Sequence, residues 1–132
     1  MSLETAVQNI VVEVRRRLAT ARKNGNAMAG GKARNTAGKI AVGAWLLAGN
    51  LMRAAGGNRV GRQRVAIHSL QADLIAADEA HVLATLEHAV AAIHWQLVVA
   101  RRSGSARRAE HLVIDFVNAT DTDLDRLSQA LK

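Results

Sequence analysis

The sequence lacks two residue types and is poor in a third class. It contains no cysteine and no proline, and its aromatic side chains are two Trp and one Phe. Without cysteine, disulfides, thiolate nucleophiles and cysteine-ligated zinc are excluded. Proline breaks helix interiors, so its absence permits long helices. Because strands favour aromatic and β-branched residues, the composition argues against a β-sandwich or barrel and favours an all-α fold.

Long hydrophobic runs are also missing. The longest uncharged stretch lies between Lys39 and Arg53 and is shorter than the roughly 20 residues that a transmembrane helix needs. The first twenty residues include Glu4, Glu13 and three consecutive arginines, which is not the pattern of a signal peptide. We therefore expect one domain over residues 1–132, a cytoplasmic location and no association with a membrane.

Charge is unevenly distributed along the chain. The formal net charge is +7; residues 1–64 hold 12 Lys or Arg against 2 Glu, whereas residues 65–132 hold 6 against 9 acidic residues. Such asymmetry indicates a polyanionic partner or an assembly held by complementary charge.

Hydrophobic periodicity predicts the first two helices. A three-to-four residue spacing from Leu3 onward predicts a helix capped by Ser2 and ending at Lys23, with Gly25 in the left-handed C-cap position. Several glycines and basic residues then predict a mobile basic loop over about 24–38. A second helix is expected over 35–55, packed on several sides because a stripe of alanines lets neighbouring helices approach closely.

The remaining chain predicts a third helix over 62–77 and a fourth over about 79–103. The fourth has a regular apolar seam, flanked by Val82, Ala89 and Trp95, and this excess of apolar surface predicts homo-oligomerisation through that helix. Ser105 is expected to cap a fifth helix and Asp121 a short last one. The predicted fold is an all-α helical bundle of four main helices plus one or two short C-terminal helices.

Neither a metal nor a cofactor is expected. Gly38-Lys39 is followed by Ile40, where a phosphate-binding loop needs a hydroxyl residue. His81 and His88 are seven residues apart on a predicted helix, too far to share one ion. The alternating acids that begin at Asp121 lack the glycine and the terminal glutamate of a calcium loop.

One short motif does suggest chemistry. Arg62-Gln63, four further residues and His68 resemble the Arg-polar-x4-His motif of the HEPN ribonuclease superfamily, whose members are small all-α domains. The resemblance covers seven residues, and Leu70 stands where many members have Tyr. It implies a metal-independent ribonuclease in which Arg62 stabilises the phosphate and His68 acts in acid–base catalysis.

A second motif overlaps the first. His68-Ser69-Leu70 resembles the opening of the histidine phosphotransfer pattern, which also belongs to four-helix bundles. That pattern continues with Lys and Gly, which support the phosphoryl group and make room for the partner. Gln71 and Ala72 occupy those two positions here, so the resemblance is confined to three residues.

The basic residues of the first half suggest a binding surface for phosphates. Lys and Arg neutralise phosphates and release counterions, which gives salt-sensitive binding without sequence preference. We therefore expect a non-enzymatic nucleic-acid-binding or scaffolding protein, such as a subunit of a nucleoprotein assembly. The alternatives are the HEPN-like ribonuclease and a module that binds an acidic protein. The candidate phosphate-binding residues are Arg15, Arg16, Arg22, Lys23, Lys32, Arg34, Lys39, Arg53, Arg59, Arg62 and Arg64.

Overall fold

A computed structural model describes residues 2–25, 31–55 and 79–131 of the chain. Within these ranges the chain forms α1 (Leu3–Lys23), α2 (Gly31–Ala54), α3 (Glu79–Arg102) and α4 (Ala106–Ala130), and the described part contains no strand. The prediction of an all-α bundle is confirmed. The predicted helix over 62–77 and residues 26–30 of the predicted loop lie outside the described ranges.

Helix α1 has the predicted bounds because its local signals agree. The Ser2 hydroxyl accepts a hydrogen bond from the Thr5 backbone N–H at 3.2 Å, which satisfies one of the free donors of the first turn. Glu4 lies in the first turn and basic residues lie in the last, as the helix dipole favours. Gly25 follows with a φ of 77°, so it adopts the predicted left-handed conformation.

Helix α2 begins at Gly31, earlier than predicted. The prediction of a loop to residue 38 is therefore wrong for residues 31–38. Glycine disfavours helix interiors by about 1 kcal/mol, but Ala33 and Ala37 are 2% and 0% exposed. Packing of this first part of the helix outweighs the low helix propensity of its glycines.

The C-terminal part of the chain is one helix, so the prediction of a separate short helix capped by Asp121 is wrong. The Thr120 hydroxyl donates to the Phe116 carbonyl at 2.7 Å, one turn back in the same helix. Threonine favours caps, but it also fits a helix interior when its hydroxyl bonds backward in this way. Beyond Asp121, Leu124 and Leu127 continue the buried face of α4 into the same core.

Contacts between the helices define their directions. Arg22 of α1 pairs with Glu79 near the start of α3, and Arg101 near its end pairs with Glu4, so α1 and α3 are antiparallel. Ser105 bonds the carbonyl of Ala54 at the end of α2, so α2 and α3 run in the same direction. Helix α4 then runs back alongside α1 and parallel to it, so α1 and α4 point in one direction and α2 and α3 in the other.

Helix α2 packs on two sides, most extensively against α3 and then against α4. Helix α1 packs against α4 and α3 and makes hardly any contact with α2. The alanine stripe is almost completely buried, which allows this close packing; it consists of Ala37, Ala41, Ala44 and Ala48.

One helix in the described part of the chain, Glu79–Arg102, is long and apolar enough to cross a membrane by length and composition. The core helix of a soluble bundle passes the same test. Here eight residues of this helix, including Leu86 and Ile93, are buried against the rest of the bundle.

Candidate nucleic-acid interface

The predicted phosphate-binding arginines of α1 are paired with carboxylates. Arg15 pairs with Glu87 and Arg22 pairs with Glu79, both on α3. Arg16 Nη2 lies 2.8 Å from Glu13 Oε2 within α1 itself, and this contact lowers the pKa of Glu13. The acidic residues of the second half of the chain therefore neutralise part of the basic first half within one molecule.

The predicted residues of α2 have more varied surroundings. Lys39 Nζ lies 4.0 Å from Asp123 Oδ1 on α4. Arg34 is half-buried, and its Nε atom has no hydrogen-bond partner among the described residues. Lys32 lies in the first turn of the helix. Arg53, in the last turn, donates to Asn50 Oδ1 at 2.8 Å and is exposed.

Lys23 ends α1 and is exposed. It lies at the end of the bundle where α2 begins, whereas Arg53 lies at the opposite end. Helix rise places Arg34 and Arg53 roughly 30 Å apart along α2. The described candidates thus fall into separate groups. The remaining ones, Arg59, Arg62 and Arg64, and with them His68, lie outside the described residues.

The structure brings Arg53 together with three arginines that are distant in sequence. The Ser105 hydroxyl donates to the Ala54 carbonyl at 2.8 Å, which fixes the turn between α3 and α4 against the end of α2. This end of the bundle therefore carries a group that we call the turn-end arginines, because all of them are exposed beside the α3–α4 turn: Arg53, Arg102, Arg107 and Arg108.

The turn-end arginines differ from those of α1 in their electrostatic environment. Within the described ranges, none of them has a carboxylate at ion-pairing distance. The neighbouring Arg101 is different: it pairs with Glu4, and this hydrogen bond lowers the pKa of that carboxyl. The positive potential of this end is thus less compensated than that of α1.

Helix α4 places basic residues where they do not stabilise the helix. Its first turn contains Arg107 and Arg108 and no acid, although the positive end of a helix dipole favours acids by about 0.3–1 kcal/mol each. Ser105 occupies the N-cap position, but its side chain makes no cap hydrogen bond and bonds Ala54 instead. Two cations and an uncapped helix start combine into a strongly positive surface.

Sequence analysis missed three of these residues. Arg102, Arg107 and Arg108 lie in the half of the chain with a net negative charge, which drew attention to the first half. A signal was present locally: four arginines occur within eight residues around Ser103, Gly104 and Ser105. Averaging charge over half of the chain concealed this cluster.

The histidines do not assemble into a site in the described part of the chain. His94 Nε2 lies 3.1 Å from the Glu4 carbonyl and joins α3 to the start of α1. His88 and His111 are exposed on different helices. Within the described ranges no group of three or more His, Asp or Glu residues is arranged to hold a metal ion.

The chain matches no protein-family model, and no curated protein and no solved structure shows significant similarity to it.

Proposed function

We propose that this chain is a small, basic, all-α nucleic-acid-binding or scaffolding protein that contacts backbone phosphates without strong sequence preference. The observation that carries the proposal is the group of turn-end arginines, which lie together at one end of the bundle without carboxylate partners in the described residues. Guanidinium groups bind phosphate oxygens through paired N–H donors, so exposed, unpaired arginines are well suited to a phosphate backbone.

The arginines of α1 contribute less to this binding. Surface ion pairs are worth about 0–1 kcal/mol, so a phosphate can displace the carboxylate from Arg15 or Arg22. However, Glu87 and Glu79 remain beside the bound phosphate and repel it. The net gain for each paired arginine is therefore smaller than that for a turn-end arginine.

Salt dependence measures this difference directly. For duplex DNA, the logarithm of the binding constant falls with the logarithm of salt concentration by about 0.9 for each neutralised phosphate, and for single strands by about 0.7. Replacing three arginines that each contact a phosphate should reduce the slope on a duplex by about 2–3.

The experiment compares two triple variants of equal net charge. One carries Arg102→Gln, Arg107→Gln and Arg108→Gln. Binding of a labelled RNA and of a matched DNA duplex is measured by fluorescence anisotropy over a salt series. We expect the wild type to bind both with a steep salt dependence, and this variant to lose most of the slope.

The control triple carries Arg15→Gln, Arg16→Gln and Arg22→Gln, and we expect it to lose less than half as much slope. Equal losses in the two triples would contradict a local interface, because only total charge would then matter. Absence of binding to either nucleic acid at low salt would refute the proposal and direct attention to an acidic protein partner. The RNA is recovered and run on a gel; cleavage that disappears in His68→Ala would replace the proposal by the HEPN-like ribonuclease.

A further inference from the structure

Helix α3 has an exposed tryptophan on its outer face. Trp95 is 62% exposed, although indole rings are mostly buried in folded proteins. The sequence grouped Trp95 with Val82 and Ala89 at the flanks of one apolar seam, but Val82 and Ala89 are each 0% exposed inside the bundle. Most of the large, flat indole surface is therefore available for contact with a ligand.

The neighbours of Trp95 on the helix surface are small. Side chains three and four residues away flank a given residue on a helix. Around Trp95 these positions hold Ala91, Ala92, Val98 and Val99. None of these four side chains is charged, and none is long enough to cover the indole ring.

A turn-end arginine lies on the same face of α3. Arg102 follows Trp95 by seven residues, which is close to two helical turns, so the two side chains project from one side of the helix about 10 Å apart along its axis. Arg102 is exposed. Helix α3 has no acidic residue after Glu87, and Glu87 is itself paired with Arg15. A phosphate at Arg102 therefore meets no unpaired carboxylate of this helix.

We infer that this face of α3 is a site for single-stranded nucleic acid, in which a base stacks on the Trp95 indole and a phosphate of the same strand binds the Arg102 guanidinium. The inference rests on the proposed function, because the other turn-end arginines bind further phosphates of the strand. The axial separation of the two side chains corresponds to at most about three nucleotides of one strand. Aromatic side chains beside a basic surface hold single strands of any sequence, since every base has a π face.

Stacking on Trp95 requires a base with an open face, and this requirement distinguishes single strands from duplexes. In a duplex each base is paired and stacked on both sides, so it must leave the stack before it can contact an indole. The turn-end arginines, in contrast, bind the phosphates of either form. Trp95 should therefore contribute to the affinity for single strands and not to the affinity for duplexes.

Fluorescence anisotropy with a labelled oligothymidylate and a DNA duplex of equal length tests this difference. Trp95→Ala should weaken binding of the oligothymidylate by about five- to a hundredfold, the range for loss of one stacked base, and leave duplex binding unchanged. The salt slope should also stay the same, because no charge is removed. Trp95→Phe, which keeps an aromatic ring, should retain most of the affinity.

Ile114→Ala is the matched control. Ile114 is 47% exposed on α4 and also lies seven residues from a turn-end arginine, Arg107, but it has no aromatic ring. This variant should bind the oligothymidylate as the wild type does. A loss equal to that of Trp95→Ala would overturn the inference, because a general apolar contact would then replace stacking.

An abasic oligonucleotide of the same length supplies the control on the ligand, since it keeps the phosphates and lacks the bases. The wild type and Trp95→Ala should bind it equally. Oligothymidylate should quench wild-type tryptophan emission and leave the emission of Trp45, which remains in Trp95→Ala, unchanged. A Trp95→Ala loss of the same size on the abasic strand would overturn stacking as the cause.

The outcomes separate this inference from the proposed function. If the wild type binds both nucleic acids and the triple arginine variant loses its salt slope, but Trp95→Ala binds the oligothymidylate normally, the inference is overturned and the proposed function stands. Absence of wild-type binding to either nucleic acid would refute both. Tryptophan emission that shifts to the blue with phosphatidylcholine vesicles, and is not quenched by oligothymidylate, would overturn the inference and assign Trp95 to a lipid surface.

Discussion

Arg17 is the arginine of α1 that the structure assigns to stability rather than to binding. Its Nη1 atom donates to the Leu124 carbonyl at 2.7 Å and to the Ser128 hydroxyl, and its Nε atom lies 3.4 Å from Glu13. Its side chain is 21% exposed, against 61% for Arg16. These bonds hold the last turns of α4 against α1.

We expect Arg17→Met to destabilise the fold while preserving the packing of the side-chain stem. Each hydrogen bond from a charged donor contributes about 1.5–3 kcal/mol. Partial exposure weakens these bonds, and the Leu124 carbonyl keeps its helical partner when Arg17 is removed. Together these considerations give a loss of about 2 kcal/mol in the free energy of unfolding.

Thermal unfolding followed by circular dichroism at the helical minimum measures this loss. For a chain of this length, about 2 kcal/mol corresponds to a fall in Tm of about 5–10 °C. Arg16→Met is the matched control. Arg16 also pairs with Glu13 but is exposed and makes no hydrogen bond or ion pair with the described residues of α4, so the Tm of this variant should hardly change. Equal midpoints for the two variants would refute the assignment of Arg17 as the link between α1 and α4.

Two further predictions concern backbone strain and pH. Gly104 has a φ of 81° and open space at its missing Cβ, so Gly104→Ala should lower the free energy of unfolding by about 1 kcal/mol. Gly43→Ala within α2 should raise it by up to about 1 kcal/mol, because the new Cβ would meet only the edge of Phe116 at 3.4 Å. Urea unfolding should therefore give shifts of opposite sign for the two variants, and shifts of the same sign would contradict this account. The hydrogen bond from Arg101 lowers the pKa of Glu4 below 4.5, so the Glu4 carboxyl binds a proton less readily in the folded state than in the unfolded state. The stabilisation that this pair gives to the fold is therefore present above pH 4.5 and is lost as the pH falls through the lowered pKa. Glu4→Gln should therefore reduce stability at neutral pH and flatten the acid limb of stability against pH, and an unchanged acid limb would show that this pair does not contribute.

Local sequence signals were sufficient for α1 and α3. Both helices have an acidic first turn and a basic last turn, and each is followed by a glycine that adopts positive φ, Gly25 and Gly104. These determinants lie within a few residues of the helix ends, so they can be recognised without knowledge of the fold. The predicted ends of both helices agree with the structure for this reason.

Local signals failed where burial decided the outcome. The glycines before Ala33 predicted a loop, and Asp121 predicted a helix start, yet both segments continue helices whose buried faces contact the rest of the bundle. Local propensities of about 1 kcal/mol or less are outweighed when several side chains are buried together. The proposed interface depends on tertiary structure in the same way.

The sequence by itself determined the helical class of this protein, because it lacks proline and repeats apolar residues at helical spacing. It also determined the net positive charge and the ends of the first and third described helices. Only the tertiary structure decided which arginines remain unpaired. Arg15 meets a carboxylate 72 residues away, whereas Arg53 lies at the same end as Arg107. Charge can be counted along a chain, but whether two charges neutralise each other depends on their separation in space.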